Sequence, residues 1–334
     1  MFFGNISLTL HFDLNLMKKR FVYYCCLFLV FLMRPIGVWS QGFVSSFSSL
    51  ASDSASLGSL SGLVADSSVV RLLSWNVYLL PAHTFMRTGQ VRRSRLIAQL
   101  LAQSNYDIIV LNEAFHTRGR RILAKALRSL FPYQTAVLNK RFGIKTNGGI
   151  WIISRIPLKT IASTQFDACS GIDCLSRKGA LMVEAEKGGV TFQVIGTHLQ
   201  ADESAEKQAI RQQQYQQIYD ELLKPFARQG VRQWLCGDFN TPLQEKSYQE
   251  MLRTLNVEDG EVLSNAPYTW PTNDYQTPNT GQYWFDYILF RANGTTALPC
   301  TRRIHRFGTE WHSGGKKRYD LSDHYAIDAL IRLH

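Results

Sequence analysis

Much is missing from this sequence. No segment repeats, which sets aside solenoids, propellers and other arrays. No histidines or cysteines stand at paired ligand spacing, so a zinc centre lacks its usual donors. The apolar run near the N-terminus, Phe21 to Met33, falls short of the about 20 residues that a membrane-spanning helix needs. Cysteines number six in 334 residues, and Cys25 and Cys26 lie inside that run. Charged residues make up 19%, and acids are the minority, 26 against 37 lysines and arginines. Hydrophobic residues at 45% suffice for a substantial core, so global disorder is excluded. The length admits one large domain or two ordinary ones.

The formal charge of +11 suits an anionic partner: nucleic acid, a phosphate-bearing small molecule or a membrane surface. Residues 1–40 read as an export signal. A basic cluster, Lys18-Lys19-Arg20, precedes the apolar run, and Val38-Trp39-Ser40 stands before Gln41 at a plausible cleavage point. Met17 is an alternative start. Removal of residues 1–40, which hold Lys18, Lys19, Arg20 and Arg34 against Asp13, lowers the charge from +11 to +8, so the mature protein stays basic. Export places the four remaining cysteines in an oxidising compartment. Cys169 and Cys174 are close enough to close a small loop; the other reading is four free thiols packed as small hydrophobes.

Residues 41–68 are rich in Ser and Gly and read as a flexible linker, with the folded domain spanning 69–334. There, strand patterns at Val69 to Val77 and Asp107 to Leu111 alternate with helical spacing over Gln90 to Ser104 and Arg120 to Leu130. Strand-like segments follow at Gly149 to Ile153, Ala180 to Glu186 and Val190 to Thr197, the last two joined by Gly188-Gly189. A helix capped by Asp202 is expected to run to about Leu223. Strands are expected at Val231 to Leu235, Tyr283 to Phe290, Cys300 to Arg306 and Tyr325 to Leu333. The expected fold is α/β, with two mixed β-sheets packed face to face as a sandwich under outer helices.

Polar residues recur where apolar strand runs give way to loops: Asn76, Glu113, His198, Asp238 with Asn240, and Asp323 with His324. Singly, each has an ordinary reading. Asn76 can close a turn, Glu113 can be a solvated carboxylate or cap a helix, and a lone histidine is more often structural than catalytic. Together they supply the parts for metal-assisted phosphate-ester cleavage: oxygen ligands for a hard cation, a base for water, and donors for an anionic phosphorus centre. Carboxylate and amide oxygens suit Mg²⁺ or Mn²⁺.

Trp75-Asn76-Val77, Asn112-Glu113, Gly196-Thr197-His198, Gly237-Asp238-Phe239-Asn240 and Ser322-Asp323-His324 occur in the order of the endonuclease/exonuclease/phosphatase superfamily, which this chain resembles. Finer matches are similar to the bacterial-type neutral sphingomyelinase branch. They are the Leu79-Leu80-Pro81 exit from the first strand, Glu113-Ala114-Phe115, the histidine strand through Ala201, and Asp173 to Gly179. The resemblance implies the deoxyribonuclease I-like sandwich and a secreted phosphodiesterase that hydrolyses sphingomyelin in membranes to ceramide and phosphocholine. It also implies residue roles. Glu113 would bind Mg²⁺ or Mn²⁺ with Asn76 beside it; His324, oriented by Asp323, would act as general base. Asp238 and His198 would pair across the phosphate, and Asn240 would donate to a phosphoryl oxygen. Asp173 and Lys178 would interact to arrange the site, and Phe115 would help.

One departure stands out. Bacterial members of the branch carry an aromatic hairpin that inserts into membrane, whereas Phe307 to Tyr319 here holds a Gly-Gly turn and one tryptophan. It reads as a shortened hairpin that meets a phospholipid surface through Trp311 and the Lys316-Lys317-Arg318 cluster, or as a solvated basic hairpin. Phe115, Tyr268, Trp270, Tyr275 and Trp284 are unranked candidates for holding choline. The alternatives are a secreted deoxyribonuclease I-like nuclease and a catalytically dead membrane-binding module. The Leu-Leu-Pro exit and the Asp173–Lys178 segment weigh against nucleic acid, and retention of Glu113, His198, Asp238 and His324 weighs against the dead module. No obligate protein partner is expected.

Overall fold

The computed structural model describes residues 66–82, 84, 88–141, 143–263, 266–275, 281–295 and 300–334. The expected export signal and nearly all of the expected linker lie outside them. In chain order the strands are β1 (Val69–Asn76), β2 (Ile108–Asn112), β3 (Tyr133–Gln134), β4 (Trp151–Ser154), β5 (Leu158–Gln165), β6 (Gly179–Lys187), β7 (Val190–His198), β8 (Arg232–Asp238), β9 (Asp286–Arg291), β10 (Cys300–His305), β11 (Gly308–Ser313), β12 (Lys316–Asp320) and β13 (Ala326–Arg332). The α-helices are α1 (Gln90–Ala102), α2 (Thr117–Leu127), α3 (Ala205–Ile218) and α4 (Lys246–Leu255).

One sheet has the order β10-β13-β1-β2-β4-β3 and the other β5-β6-β7-β8-β9, each mixing parallel and antiparallel pairs. The period-2 alternation of the strands explains how the first sheet is covered on both faces. Leu72, Val110 and Ile152 join a core shared with Val194 and Leu235 of the second sheet. Their neighbours Leu73, Ile109 and Ile153 join a separate core with Ile97 and Leu101 of α1 and Leu123 and Leu127 of α2. The sheets approach closely at Gly196, where an added Cβ would lie 2.7 Å from a Val110 methyl. This is the expected face-to-face sandwich.

Local boundaries differ from the sequence expectations for identifiable reasons. Asp202 has φ 74°, incompatible with the extended backbone of an N-cap, and Ser204 caps α3 instead by accepting from the Lys207 amide. A π-helical turn, Tyr219–Leu223, then carries the chain to the expected end. α2 starts earlier than its apolar spacing suggests because the His116 ring accepts the Gly119 amide at 2.9 Å. β5 escapes the pattern because it pairs only with β6 and only one of its eight residues is fully buried.

Candidate active site

Five strands deliver polar side chains to one edge of the sandwich. In the first sheet, parallel β1 and β2 end together with Asn76 opposite Asn112. In the second, parallel β7 and β8 end with His198 opposite Asp238, and antiparallel β9 begins with Asp286 opposite Asp238. Paired residues in a sheet point to the same face, so His198, Asp238 and Asp286 form one row. The sheets are bridged there, as Asn76 donates its Nδ2 to Asp238 Oδ2 at 3.0 Å. Gly237, with φ 147°, leaves room for the first sheet's Asn112, whose Nδ2 a Cβ would meet at 2.9 Å, beside the Thr197 carbonyl oxygen of its own sheet at 1.9 Å. The Ser322–His324 turn is tied to β1 by Ser322 Oγ donating to the Asn76 carbonyl at 2.6 Å and by Trp75 Nε1 donating to the His324 carbonyl at 3.2 Å.

His324 is buried, and its Nδ1 lies 2.8 Å from Asp286 Oδ2, with Nε2 3.6 Å from Asp238 Oδ2. The expected orienting partner, Asp323, is thus replaced in that role by Asp286. The physical reason is strand register: β9 starts opposite Asp238 and delivers Asp286 to the ring, whereas Asp323, adjacent to the histidine, accepts from its neighbour Ser322 Oγ at 3.3 Å. Burial alone would disfavour the imidazolium, yet Asp286 and Asp238 outweigh it and hold the His324 pKa well above the usual range. Burial raises the Asp286 carboxyl to about 6 against the pull of His324. The sequence reading did not single out Asp286. Its signal was present, as a lone carboxylate inside Trp284-Phe285-Asp286-Tyr287-Ile288 has the same character as Asp238 after its own apolar run.

Asp173 and Lys178 meet as expected. Lys178 Nζ lies 2.9 Å from Asp173 Oδ1, donates to the Leu199 carbonyl at 2.9 Å and lies 3.2 Å from His198 Nε2. Three ammonium protons thereby find three acceptors, with His198 Nε2 as a neutral acceptor. Burial, followed by the Lys178 charge, pushes the His198 pKa down to about 4, consistent with that assignment. Asp173 also accepts the Ala201 amide at 2.8 Å. Its short 3₁₀ segment, Gly171–Leu175, is closed by a Cys169–Cys174 disulfide, which decides between the two cysteine readings. Cys236 and Cys300 are free thiols. Asn240 donates Nδ2 to the Leu199 carbonyl at 3.2 Å, leaving its second N–H for another acceptor.

Glu113 lies in the left-handed region, φ 53°, directly after β2, and its Oε2 is buried without a hydrogen-bond partner. Burial first, then repulsion from Asp323, lifts its pKa to about 8. A buried, unpaired acid oxygen beside a second carboxylate fits an oxygen-seeking divalent cation, which would replace the proton. Asn76 Oδ1 accepts the Tyr78 amide at 3.1 Å and retains a second lone pair. Among the described residues, Asp238, Asp286 and His324 also bring donor atoms within 4.8 Å of one another. We read that trio as an acid–base unit, because Asp286 Oδ2 and His324 Nδ1 already satisfy each other. Phe115 is buried against Gly149, where a Cβ would lie 2.7 Å from its ring, so it packs behind the Glu113 turn.

Trp311 differs from its expected place at a lipid surface. It is 1% exposed, its Nε1 donates to the Asp320 carbonyl at 3.1 Å, and its ring fills the space that Gly89 leaves at the start of α1. Extracting it would forfeit roughly 2–3 kcal/mol of burial as well as that bond. Exposed residues of the β11–β12 hairpin include Lys316, Lys317 and Tyr319, with Thr309, Glu310, His312 and the Gly314-Gly315 turn beside them.

Residues 73–324 match the Endonuclease/Exonuclease/phosphatase family. A Listeria ivanovii protein named sphingomyelinase C is 31% identical over 77% of this chain and 84% of its own length. A crystal structure of a Staphylococcus aureus beta toxin variant with bound magnesium ions superposes with TM-score 0.71 at 28% identity, covering 78% of this chain and 98% of that one. The crystal structure of sphingomyelinase C from Streptomyces griseocarneus gives TM-score 0.72 at 25% identity, covering 79% and 99%. The shared strand-end residues, the sandwich that gathers them and these likenesses agree: the chain belongs to the endonuclease/exonuclease/phosphatase family of hydrolases, in its sphingomyelinase C branch.

Proposed function

We propose that this chain is a secreted, divalent-metal-dependent phosphodiesterase that cleaves sphingomyelin to ceramide and phosphocholine. The observation that carries the reading is the buried His324–Asp286 pair facing Asp238, together with a Glu113 carboxyl whose Oε2 is buried without a hydrogen-bond partner, in a member of the sphingomyelinase C branch.

With Nδ1 committed to Asp286, Nε2 is the His324 atom that faces the attacking water. Asp238 lies 3.6 Å from that nitrogen and, with Asp286, favours the imidazolium, so the ring takes the water proton from its neutral form, which the two carboxylates make a stronger base. Water attacks phosphorus in line with the ceramide oxygen. Asn240 donates to a phosphoryl oxygen, and Asp238 holds position through Asn76 and the Asn240 amide, which it accepts at 3.0 Å. Lys178 fixes His198 as a neutral ring beside the phosphate. Glu113 and Asn76 would hold a divalent cation, which would supply Lewis-acid stabilisation of the charge on the phosphoryl group and the leaving oxygen. The hard-oxygen donor set favours Mg²⁺ or Mn²⁺.

Export through a signal in residues 1–40 would bring the enzyme to its lipid, and contact with the phospholipid surface rests on Lys316, Lys317 and Tyr319 in place of Trp311. Among the described residues no helix is long and apolar enough to cross a membrane. The test is phosphocholine release from sphingomyelin vesicles by the purified chain, with Mg²⁺ and with excess chelator, beside a plasmid-nicking control. Metal-dependent release with intact plasmid is expected; nicking without phosphocholine would make the protein a nuclease.

A further inference from the structure

The aromatic candidates for holding choline separate cleanly in the structure. Phe115 packs on Gly149, Trp284 is buried and donates Nε1 to the Asp286 carbonyl at 2.9 Å, and Tyr275 packs edge-on against Tyr78 while donating to the Asp320 carbonyl. Trp270 belongs to a different arrangement. Its ring centroid lies 6.0 Å from that of Tyr283 and 5.9 Å from that of Phe285, and Tyr283 stacks on Phe285 at 5.1 Å with 15° between planes.

This trio is tied by hydrogen bonds to the segments that carry Asp286 and His324. Trp270 and Tyr283 exchange both backbone hydrogen bonds, at 2.8 and 3.0 Å. Thr269 Oγ1 accepts the amides of Phe285 and Asp286, and the Thr269 carbonyl accepts the Tyr325 amide at 2.7 Å. The platform is therefore bonded to Asp286 itself and to the residue after His324. Phe285 also accepts the amide of Phe239, the residue between Asp238 and Asn240. Across from it, the exposed Glu203, five residues beyond His198, bonds to the Tyr283 hydroxyl, and Glu245 lies close enough to add to the negative field there.

We propose that the rings of Trp270, Tyr283 and Phe285, with the carboxylate of Glu203, form the subsite for the quaternary ammonium of the substrate headgroup. This deepens, and rests on, the reading of the chain as a sphingomyelin phosphodiesterase. A trimethylammonium cannot donate hydrogen bonds, so aromatic faces and a nearby carboxylate are what recognise it. In a protein with formal charge +11, an acidic and aromatic corner beside a phosphate site complements a zwitterionic phosphocholine, whose anion and cation need opposite surroundings.

The test compares phosphocholine with inorganic phosphate as ligands for the full chain with Mg²⁺, by titration calorimetry, with sphingomyelin hydrolysis followed in parallel. The intact chain is expected to bind phosphocholine more tightly than phosphate. Tyr283→Leu and the surface change Glu203→Gln should each weaken phosphocholine about tenfold while leaving phosphate unchanged. Tyr283→Phe, which keeps the ring, should stay close to the parent. Equal affinity of the intact chain for the two ligands, or equal weakening of both in the variants, overturns the subsite. If hydrolysis of sphingomyelin is absent although phosphocholine binding follows the expected pattern, it is the functional reading that fails.

Discussion

His324 presents Nδ1 to Asp286 Oδ2 at 2.8 Å, in a buried contact between residues 38 apart in sequence. Asp286 thereby fixes which nitrogen of the ring faces the reaction. Asp286→Asn is expected to lower kcat by about 10²–10⁴ with little change in KM, because an amide cannot hold the same tautomer. Asp323→Asn should act differently, shifting metal affinity through Glu113 and moving the pH profile while leaving the His324 tautomer, and most of kcat at its optimum, in place. Steady-state kinetics across pH on the two variants would separate them, and matching profiles would refute the assignment.

Glu113 carries its proton up to about pH 8 in the absence of a cation. Cation binding should therefore release a proton, and affinity should rise with pH until about that value. Calorimetric titration with Mg²⁺ in buffers of different ionisation enthalpy would show a buffer-dependent heat, and Glu113→Gln should remove it.

His198 is neutral in the fold, with its pKa depressed from 6.5 to about 4. Between those values the unfolded chain binds the additional proton, so this contribution to stability is complete above pH 6.5 and is lost as pH falls towards 4. Urea midpoints at pH 7 and pH 5 should fall in that order, and His198→Gln should flatten the difference.

Lys178 is buried between Asp173, His198 and the Leu199 carbonyl. Lys178→Ala leaves the buried Asp173 without its ion-pair partner and should cost about 3–5 kcal/mol of stability. The charge pressing on His198 also disappears, so the His198 pKa should rise, readable as a shifted imidazole titration by NMR. Lys178→Arg is expected to recover only part of either effect, since a planar guanidinium cannot aim three protons as an ammonium does.

The amino-acid sequence by itself determined the class of chain and most of its working residues. Apolar runs ending in Asn76, Glu113, His198 and Asp238, and one beginning just after His324, marked strands whose terminal residues had to leave the core, and their order along the chain carried the family. Strand-helix units followed by many hairpins were enough to call for two packed sheets with helices outside. Only the tertiary structure decided which of these residues touch. Strand register set Asp286 opposite Asp238 and so gave His324 its carboxylate, although Asp323 stands next to it in sequence. A missing side chain at Gly89 made room for Trp311 and turned an expected lipid contact into core. In both cases the deciding term is long-range: a partner from a distant strand or loop, brought close by stacking two sheets, competes with the sequence neighbour and prevails because burial and hydrogen bonding are settled by the fold as a whole.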